Sequence, residues 1–277
     1  FSAQLGFSIE EETKRAAGEL AETLKKISAE RIHTELVKLL VSPHPQYLKT
    51  AWELGITRVV LPEFDAMMET GQNNPHHCYT VGEHTLKALE SVCADRVLRL
   101  AVLFHDMGKP EKRSTDEMGI DHFYGHQKAS EEIARRILRR LRFDNDTIAA
   151  VTKLVLWHEC PWECTPCSVR KALNKTGAEL FPMLLEIRHA DLMAQSTYKR
   201  EEKLQKLLES RRLYEEIMEK QECISLKTLA VSGKDLIDAG MKPGKELGKT
   251  LDLLLHLVLE EPEKNTKEYL LSKIKNG

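Results

Sequence analysis

The dipeptide His105-Asp106 closes the apolar run 98–104 and is followed by Met-Gly-Lys109, which sets imidazole, carboxylate and ammonium side by side at the edge of a core. His84 lies on the preceding predicted helix, and His126, His158 and Asp191 each fall on a later one. Antiparallel packing of those helices can bring all six groups to one cavity. Mixed imidazole and carboxylate donors suit first-row divalent ions such as Mn, Fe, Co, Ni and Zn, and also tolerate Mg. Such an ion lowers the pKa of its water and polarises a phosphoryl oxygen, so the expected chemistry is hydrolysis of a phosphate ester. Asp106 is placed to bridge two ions or to orient a nucleophile, and Lys109 to neutralise phosphate charge one turn away. A single His at the end of an apolar helix is usually a hydrogen-bonded structural residue, and His33, His44, His189 and His256 are read that way. The ordered set on separate helices is far more specific than any one member.

The elements that must carry these groups are helical. Residues 9–27 read as one amphipathic helix, with Ala16, Leu20, Leu24 and Ile27 recurring every three or four positions. Ser28 is a suitable N-cap for a second helix that stops before Pro43. Short helices are expected over 45–54 and 62–69, then a polar loop over 71–75. Helices over 80–92 and 95–104 precede a long Gly- and charge-rich loop at 107–125. Further helices fit 126–141, 144–158, 167–174, 180–194 and 199–220. From Leu226 onward, glycines 233, 240, 244 and 248 between apolar pairs suggest a small cluster of short helices. Alternating residues at turn spacing are missing, so the expected fold class is all-α.

Composition narrows the setting. The 277 residues carry 41 basic and 43 acidic side chains, a net charge of −2, so RNA binding would have to come from local patches. Sparse aromatics and the lack of an apolar run near the roughly 20 residues of a membrane span give no expectation of a membrane partner. No basic-then-apolar leader follows Phe1, and without an initiator Met the sequence is expected to be a piece of a longer or processed protein. Six cysteines do not form a dispersed disulfide framework, and the expected location is the cytoplasm. Three of them, Cys160, Cys164 and Cys167, have C-x3-C-x2-C spacing, which invites a cluster or zinc reading. Pro166 stands where the radical-enzyme pattern has an aromatic, so thiols in a plain loop after His158 are the default. A structural metal with His158 or Cys223 as fourth ligand is the alternative.

At His84, His105-Asp106, His126, His158 and Asp191 the sequence resembles the HD phosphohydrolase superfamily. That resemblance implies His84, His105, Asp106 and Asp191 as core metal ligands, with His126 and His158 where some members bind a second metal or contact phosphate. The flanks narrow it further. The stretch 1–9 with Glu11, Glu12 and Thr13, the segment 27–32 with Glu35-Leu36 and 38–40, and Leu61-Pro-Glu63 resemble the neck of bacterial tRNA nucleotidyltransferases. Asn74-Pro-His-His77, Tyr79, Val81 and His84-Thr-Leu86 resemble the HD insertion of those enzymes, and 190–196 its last metal motif. Ser232-Gly-Lys-Asp-Leu236, Gly240, Pro243-Gly244, Leu247-Gly248 and Asn265 resemble their tail.

The resemblance implies a neck at 1–70, an HD domain at 71–222 and a tRNA-binding tail at 223–277 of an enzyme family that adds CCA or poly(A) to RNA 3′ ends. The polymerising head of that family needs a Gly-Ser motif and paired aspartates. Asp144-Asn-Asp146 has the spacing, but it opens a predicted helix without a preceding Gly-Ser strand, so Asp144 is read as a cap. For the HD site the resemblance implies removal of phosphate from RNA 3′ ends, or opening of 2′,3′-cyclic phosphates on RNA ends or nucleotides. Arg135, Arg136, Arg139, Arg140 and Arg142 load one helix with charge, Lys199, Arg200, Lys203 and Lys206 another, and Lys242 to Lys249, including Lys245, form a third basic stretch. Such runs are commonly solvated faces and gain meaning as RNA contacts only through the resemblance. Two other readings stand beside the hydrolase: a tRNA-binding scaffold with a structural or vestigial metal site, and a signalling hydrolase acting on free nucleotide. The neck and tail likenesses argue against the second of these.

Overall fold

The helix Arg96–Phe104 is buried along nearly its whole length, from Leu98 to Phe104. Each fully buried Leu or Phe of that run contributes roughly 1.5–3 kcal/mol, and Asp95 caps the helix by accepting from the Leu98 amide at 2.9 Å. Its one internal charge, Arg99, is 5% exposed. The guanidinium is satisfied by three carbonyls: Val92 at 3.1 Å, Cys93 at 3.0 Å and Leu40 at 2.9 Å. Arg99 thereby ties the C-terminus of the helix Ala29–Leu40 to the central helix.

This computed structural model describes residues 1–74 and 79–274. The fold is all-α, in agreement with the periodicity: seventeen α-helices and one small hairpin are present among the described residues. The hairpin pairs Ser114 with His122 and Thr115 with Asp121, inside the stretch expected to be loop. Asp121 organises it, accepting from Asn73 N, Arg113 and Thr115. His76 and His77, part of the Asn74–His77 motif, lie outside the described residues.

The chain forms two compact units. One comprises 1–160 and 182–207, and the other 161–181 and 208–277. The second has its own core of Val231, Leu236, Leu254, Leu255, Val258, Leu259 and Leu270. Within it Arg170 donates to the carbonyls of Leu259 at 2.7 Å and Glu260 at 3.1 Å, closing the end of the helix Lys245–Glu260.

Several elements differ from the periodicity, among them the short helices Ser2–Leu5 and, within the expected loop 107–125, Lys109–Lys112. The expected helix over 9–27 is an α-helix, Glu11–Glu19, continued by a 3₁₀ stretch, Ala21–Lys26. The Leu20 carbonyl accepts from both the amide and the hydroxyl of Thr23, at 2.9 and 2.6 Å, which tightens the turn to i+3. A short helix, Ile56–Val60, was not foreseen. The C-terminal region holds a 16-residue helix, Lys245–Glu260, rather than short pieces only. Gly248 lowers its local propensity by about 1 kcal/mol, which the burial of Leu254, Leu255, Val258 and Leu259 on one face outweighs.

Candidate metal centre

Each group of the centre is delivered by a helix end or a capped helix. Thr80 and Glu83 form a capping box that starts the helix Val81–Glu90 and fixes His84 on its inner face. Gly82 lets that helix approach Met68, whose backbone N would lie 2.8 Å from a Cβ at this position. His105 and Asp106 follow directly on Arg96–Phe104. His126 opens the helix His126–Arg140, and His158 ends Asn145–Trp157. The cap of the latter is Asp144, accepting from the Thr147 amide at 2.8 Å, as its reading as a cap requires. Asp191 projects from Phe181–Ala194.

Gly108 decides how close these pieces come. A Cβ there would lie 2.6 Å from His126 O and Ser130 N, and its own amide donates to Ser130 Oγ at 2.8 Å. The turn bearing His105-Asp106 therefore rests on the first turn of the His126 helix with no room for a side chain.

The outcome is a buried constellation in which His84, His105, Asp106, Lys109, His126 and His158 are all 3% exposed or less. Asp106 stands in the middle. Its Oδ2 lies 3.2 Å from His105 Nε2, 3.7 Å from His84 Nε2 and 2.7 Å from Lys109 Nζ. Its Oδ1 lies 3.4 Å from His126 Nε2 and 3.8 Å from His158 Nε2. Asp191 Oδ1 is 2.9 Å from His84 Nε2 and 3.9 Å from His105 Nε2, while its Oδ2 accepts from Gln195 at 2.9 Å. Two trios, His84/His105/Asp106 and Asp106/His126/His158, have donor atoms close enough to hold a metal ion.

All four imidazoles are oriented alike. Their Nδ1 atoms face backbone carbonyls: Ala194 at 3.3 Å, Val102 at 2.6 Å, Phe123 at 2.9 Å and Val155 at 2.7 Å, for His84, His105, His126 and His158 respectively. This is the outer-shell bond that fixes tautomer and ring direction in metal-ligating histidines. It turns every Nε2 inward. His105 Nε2 and both Asp106 oxygens are buried without a hydrogen bond of good geometry among the described residues. A donor set of inward nitrogens around one shared carboxylate fits a divalent ion of the borderline type.

Charge follows from this packing. Burial alone would raise the Asp106 carboxyl, but the positive charges of His105 and Lys109 hold it well below its ordinary range. Burial would likewise raise Asp191, and the bond and charge of His84 lower it instead. Burial would lower His105, yet the Asp106 and Asp191 carboxylates raise it to about 9. Burial dominates at His158, whose imidazole is pushed down. Lys109 would be lowered by burial, but Asp106 keeps it raised and charged.

Three contributors escaped the sequence reading. Gln72 Oε1 accepts from Lys109 at 3.0 Å. Glu159 Oε2 lies 3.6 Å from His126 Nε2 and is held by Gln127 at 2.7 Å. Arg188 donates to His158 O at 2.7 Å and to Cys160 O, fixing the turn that carries His158. None has a local spacing signal, although Glu159 adjoins His158.

Among the basic residues, Arg140 is engaged with both Glu63 oxygens at 3.0 Å, and Arg135 with Glu131 and Thr152. Arg136 reaches the same Glu63 at 4.0 Å and, like Arg139, is exposed. Lys242 and Lys245 are exposed in the second unit. Cys164 Sγ lies 3.7 Å from Ser210 Oγ, and Cys167 sits in the first turn of the helix Pro166–Thr176. No cysteine joins either metal trio among the described residues. Nor is any helix among them long and apolar enough to cross a membrane.

Residues 112–274 match the family described as tRNA nucleotidyltransferase domain 2, and residues 6–68 match "Probable RNA and SrmB-binding site of polymerase A". The chain is 32% identical to the CC-adding tRNA nucleotidyltransferase of Thermus thermophilus, covering 94% of this chain and 60% of that protein. It is 31% identical to the A-adding tRNA nucleotidyltransferase of Deinococcus radiodurans, covering 69% and 46%. The chain thus spans roughly half to three-fifths of these relatives. The crystal structure of the Bacillus stearothermophilus CCA-adding enzyme in complex with CTP shares the fold, with a TM-score of 0.64 at 20% identity over 100% of this chain and 60% of that one.

Proposed function

The chain belongs to the tRNA nucleotidyltransferase family, and from that premise we propose that it is the helical body of an enzyme acting at tRNA 3′ ends, with a metal-dependent phosphohydrolase centre of its own. In this reading residues 1–70 form a neck, 71–222 the HD domain, and 223–277 a tRNA-binding tail. His84, His105, Asp106 and Asp191 would hold one divalent ion, and Asp106, His126 and His158 a second. Such ions supply electrophilic activation of a phosphoryl group and of water. Lys109, kept charged and pinned between Asp106 and Gln72, presents a fixed ammonium to a phosphate at the cleft. Glu159, whose Oε2 lies 3.6 Å from His126 Nε2, stands where a proton could be delivered to a leaving oxygen. The substrates proposed are phosphomonoesters or 2′,3′-cyclic phosphates of RNA ends or nucleotides. Exposed Arg136, Arg139, Lys242 and Lys245 are the proposed phosphate contacts, which position RNA without reading its sequence.

One observation carries the hydrolase reading: the two oxygens of Asp106 face two different pairs of inward-turned imidazoles. A salt-bridge network built only for stability would have no need to aim four Nε2 atoms at one carboxylate. A second reading, a tRNA-binding scaffold with a structural centre, is favoured by the Lys109–Asp106 and His84–Asp191 contacts, which balance charge internally. The test is phosphate release from p-nitrophenyl phosphate and 2′,3′-cyclic AMP with Ni, Mn, Mg or no metal, beside a His105→Ala/Asp106→Ala variant. Metal-dependent turnover lost in the variant supports the hydrolase. Absence of turnover with every metal, in folded protein, leaves the scaffold.

A further inference from the structure

The centre opens into a cleft of about 470 Å³ lined by Lys109, His126, Glu159 and residues 120–125, which run from the end of the hairpin to the start of the His126 helix. Two aromatic rings, at the end of the hairpin and just past it, belong to no core. His122 and Tyr124 stack with centroids 5.3 Å apart and planes within 7°. The pair is built rather than incidental. His122 Nε2 is held by Asp116 Oδ2 at 2.9 Å, and Asp116 Oδ1 accepts from the amides of Met118 and Ile120 in the turn. The Tyr124 hydroxyl lies 3.3 Å from His122 Nδ1. Tyr124 itself is 78% exposed, with His122 stacked offset against it.

The position of Tyr124 is set by the metal-facing residue beside it. His126 follows two positions later, and two residues span at most about 7 Å, comparable to the distance between a nucleotide's base and its phosphate. Phe123, between His122 and Tyr124, has its ring 5.4 Å from Lys109 Nζ and its carbonyl on His126 Nδ1. The aromatic stack and the phosphate-side groups are therefore parts of one wall. Exposed, pre-oriented aromatic faces beside fixed positive charge are the arrangement that takes unpaired bases.

We propose that His122 and Tyr124 form a nucleobase platform, so that the ester presented to the centre is a nucleoside phosphate, the base lying on the open face of Tyr124. This rests on the reading above for where the phosphate goes, but its binding component is separable. The experiment is calorimetric titration of the full chain with adenosine 3′-monophosphate and with ribose 5-phosphate, in wild type, Tyr124→Ala and Tyr124→Trp, alongside p-nitrophenyl phosphate turnover. Expected is tighter binding of the nucleotide than of the sugar phosphate. Tyr124→Ala should lower that preference about 5- to 140-fold, the range for losing one base–aromatic stack, and Tyr124→Trp should retain it. Equal affinity for the two ligands in wild type, or a preference unchanged by Tyr124→Ala, overturns the platform. Nucleotide preference without any turnover keeps the platform and removes the hydrolase. Turnover without base preference does the opposite.

Discussion

Substituting Gly108 by alanine tests whether the close approach at the HD turn positions the centre. The added Cβ would sit 2.6 Å from His126 O and from Ser130 N, and 2.7 Å from Ala129 Cβ. Two of these are helix backbone and cannot swing aside. Ordinary contact begins at 3.4 Å, so turn and helix must part by about 0.8 Å, the difference between 3.4 and 2.6 Å. That parting stretches the Ser130 hydrogen bond and the 3.4 Å separation of Asp106 Oδ1 from His126 Nε2. Overpacking of this kind costs about 1–3 kcal/mol, and about 2–4 °C of Tm accompanies each kcal/mol in a chain of this size. A fall of about 2–12 °C is expected. Affinity for a second Mn(II) should drop about 10- to 100-fold, as for other losses of ligand support. Calorimetric melting with and without Mn(II) reads both effects. Gly248→Ala is the control: a Cβ there meets nothing within 4 Å, so it should gain about 0.4–1 kcal/mol. If Gly108→Ala melts within about 1 °C of wild type and binds Mn(II) equally well, the spacing argument is wrong.

Other outcomes follow from the same geometry. Asp106→Ala should leave no tightly bound metal by native mass spectrometry, whereas His158→Ala should retain one ion, because only Asp106 belongs to both trios. Arg99→Leu should cost about 2–5 kcal/mol by denaturant titration, since three carbonyls lose their donor. Asp144→Ala should lose about 1 kcal/mol of capping. The Thr147 amide and hydroxyl, then Arg96, lower the Asp144 carboxyl to about 2. Its folded pKa lies below the unfolded one, so its stabilisation is present above about pH 4 and declines as pH falls toward 2. Melting curves of wild type and Asp144→Ala should therefore converge across that window.

Residue order carried most of this site. His84, His105, Asp106, His126, His158 and Asp191 were visible because each marks a helix start, end or inner face that periodicity locates, and helix ends are where polar groups can enter a core. Gln72, Glu159 and Arg188 were not visible. Their roles depend on which turn meets which across long separations, for instance Lys109 with Gln72. The hairpin at 114–122 was hidden for a related reason, since Asp121 earns its strand geometry from Asn73, Arg113 and Thr115 rather than from any alternation. From Leu226 onward, four glycines suggested fragmentation, yet Gly248 sits inside a long helix whose apolar face decides the matter.

The helix His126–Arg140 has a further mechanical meaning. It contains neither glycine nor proline, and its fifteen residues make a helix about 22 Å long. One end plants an imidazole beside Asp106. The other end grips Glu63 and the Val60 carbonyl through Arg140, within the segment 6–68 that matches an RNA-binding family. The candidate metal centre and the contacts to that segment thus lie at opposite ends of one uninterrupted helix.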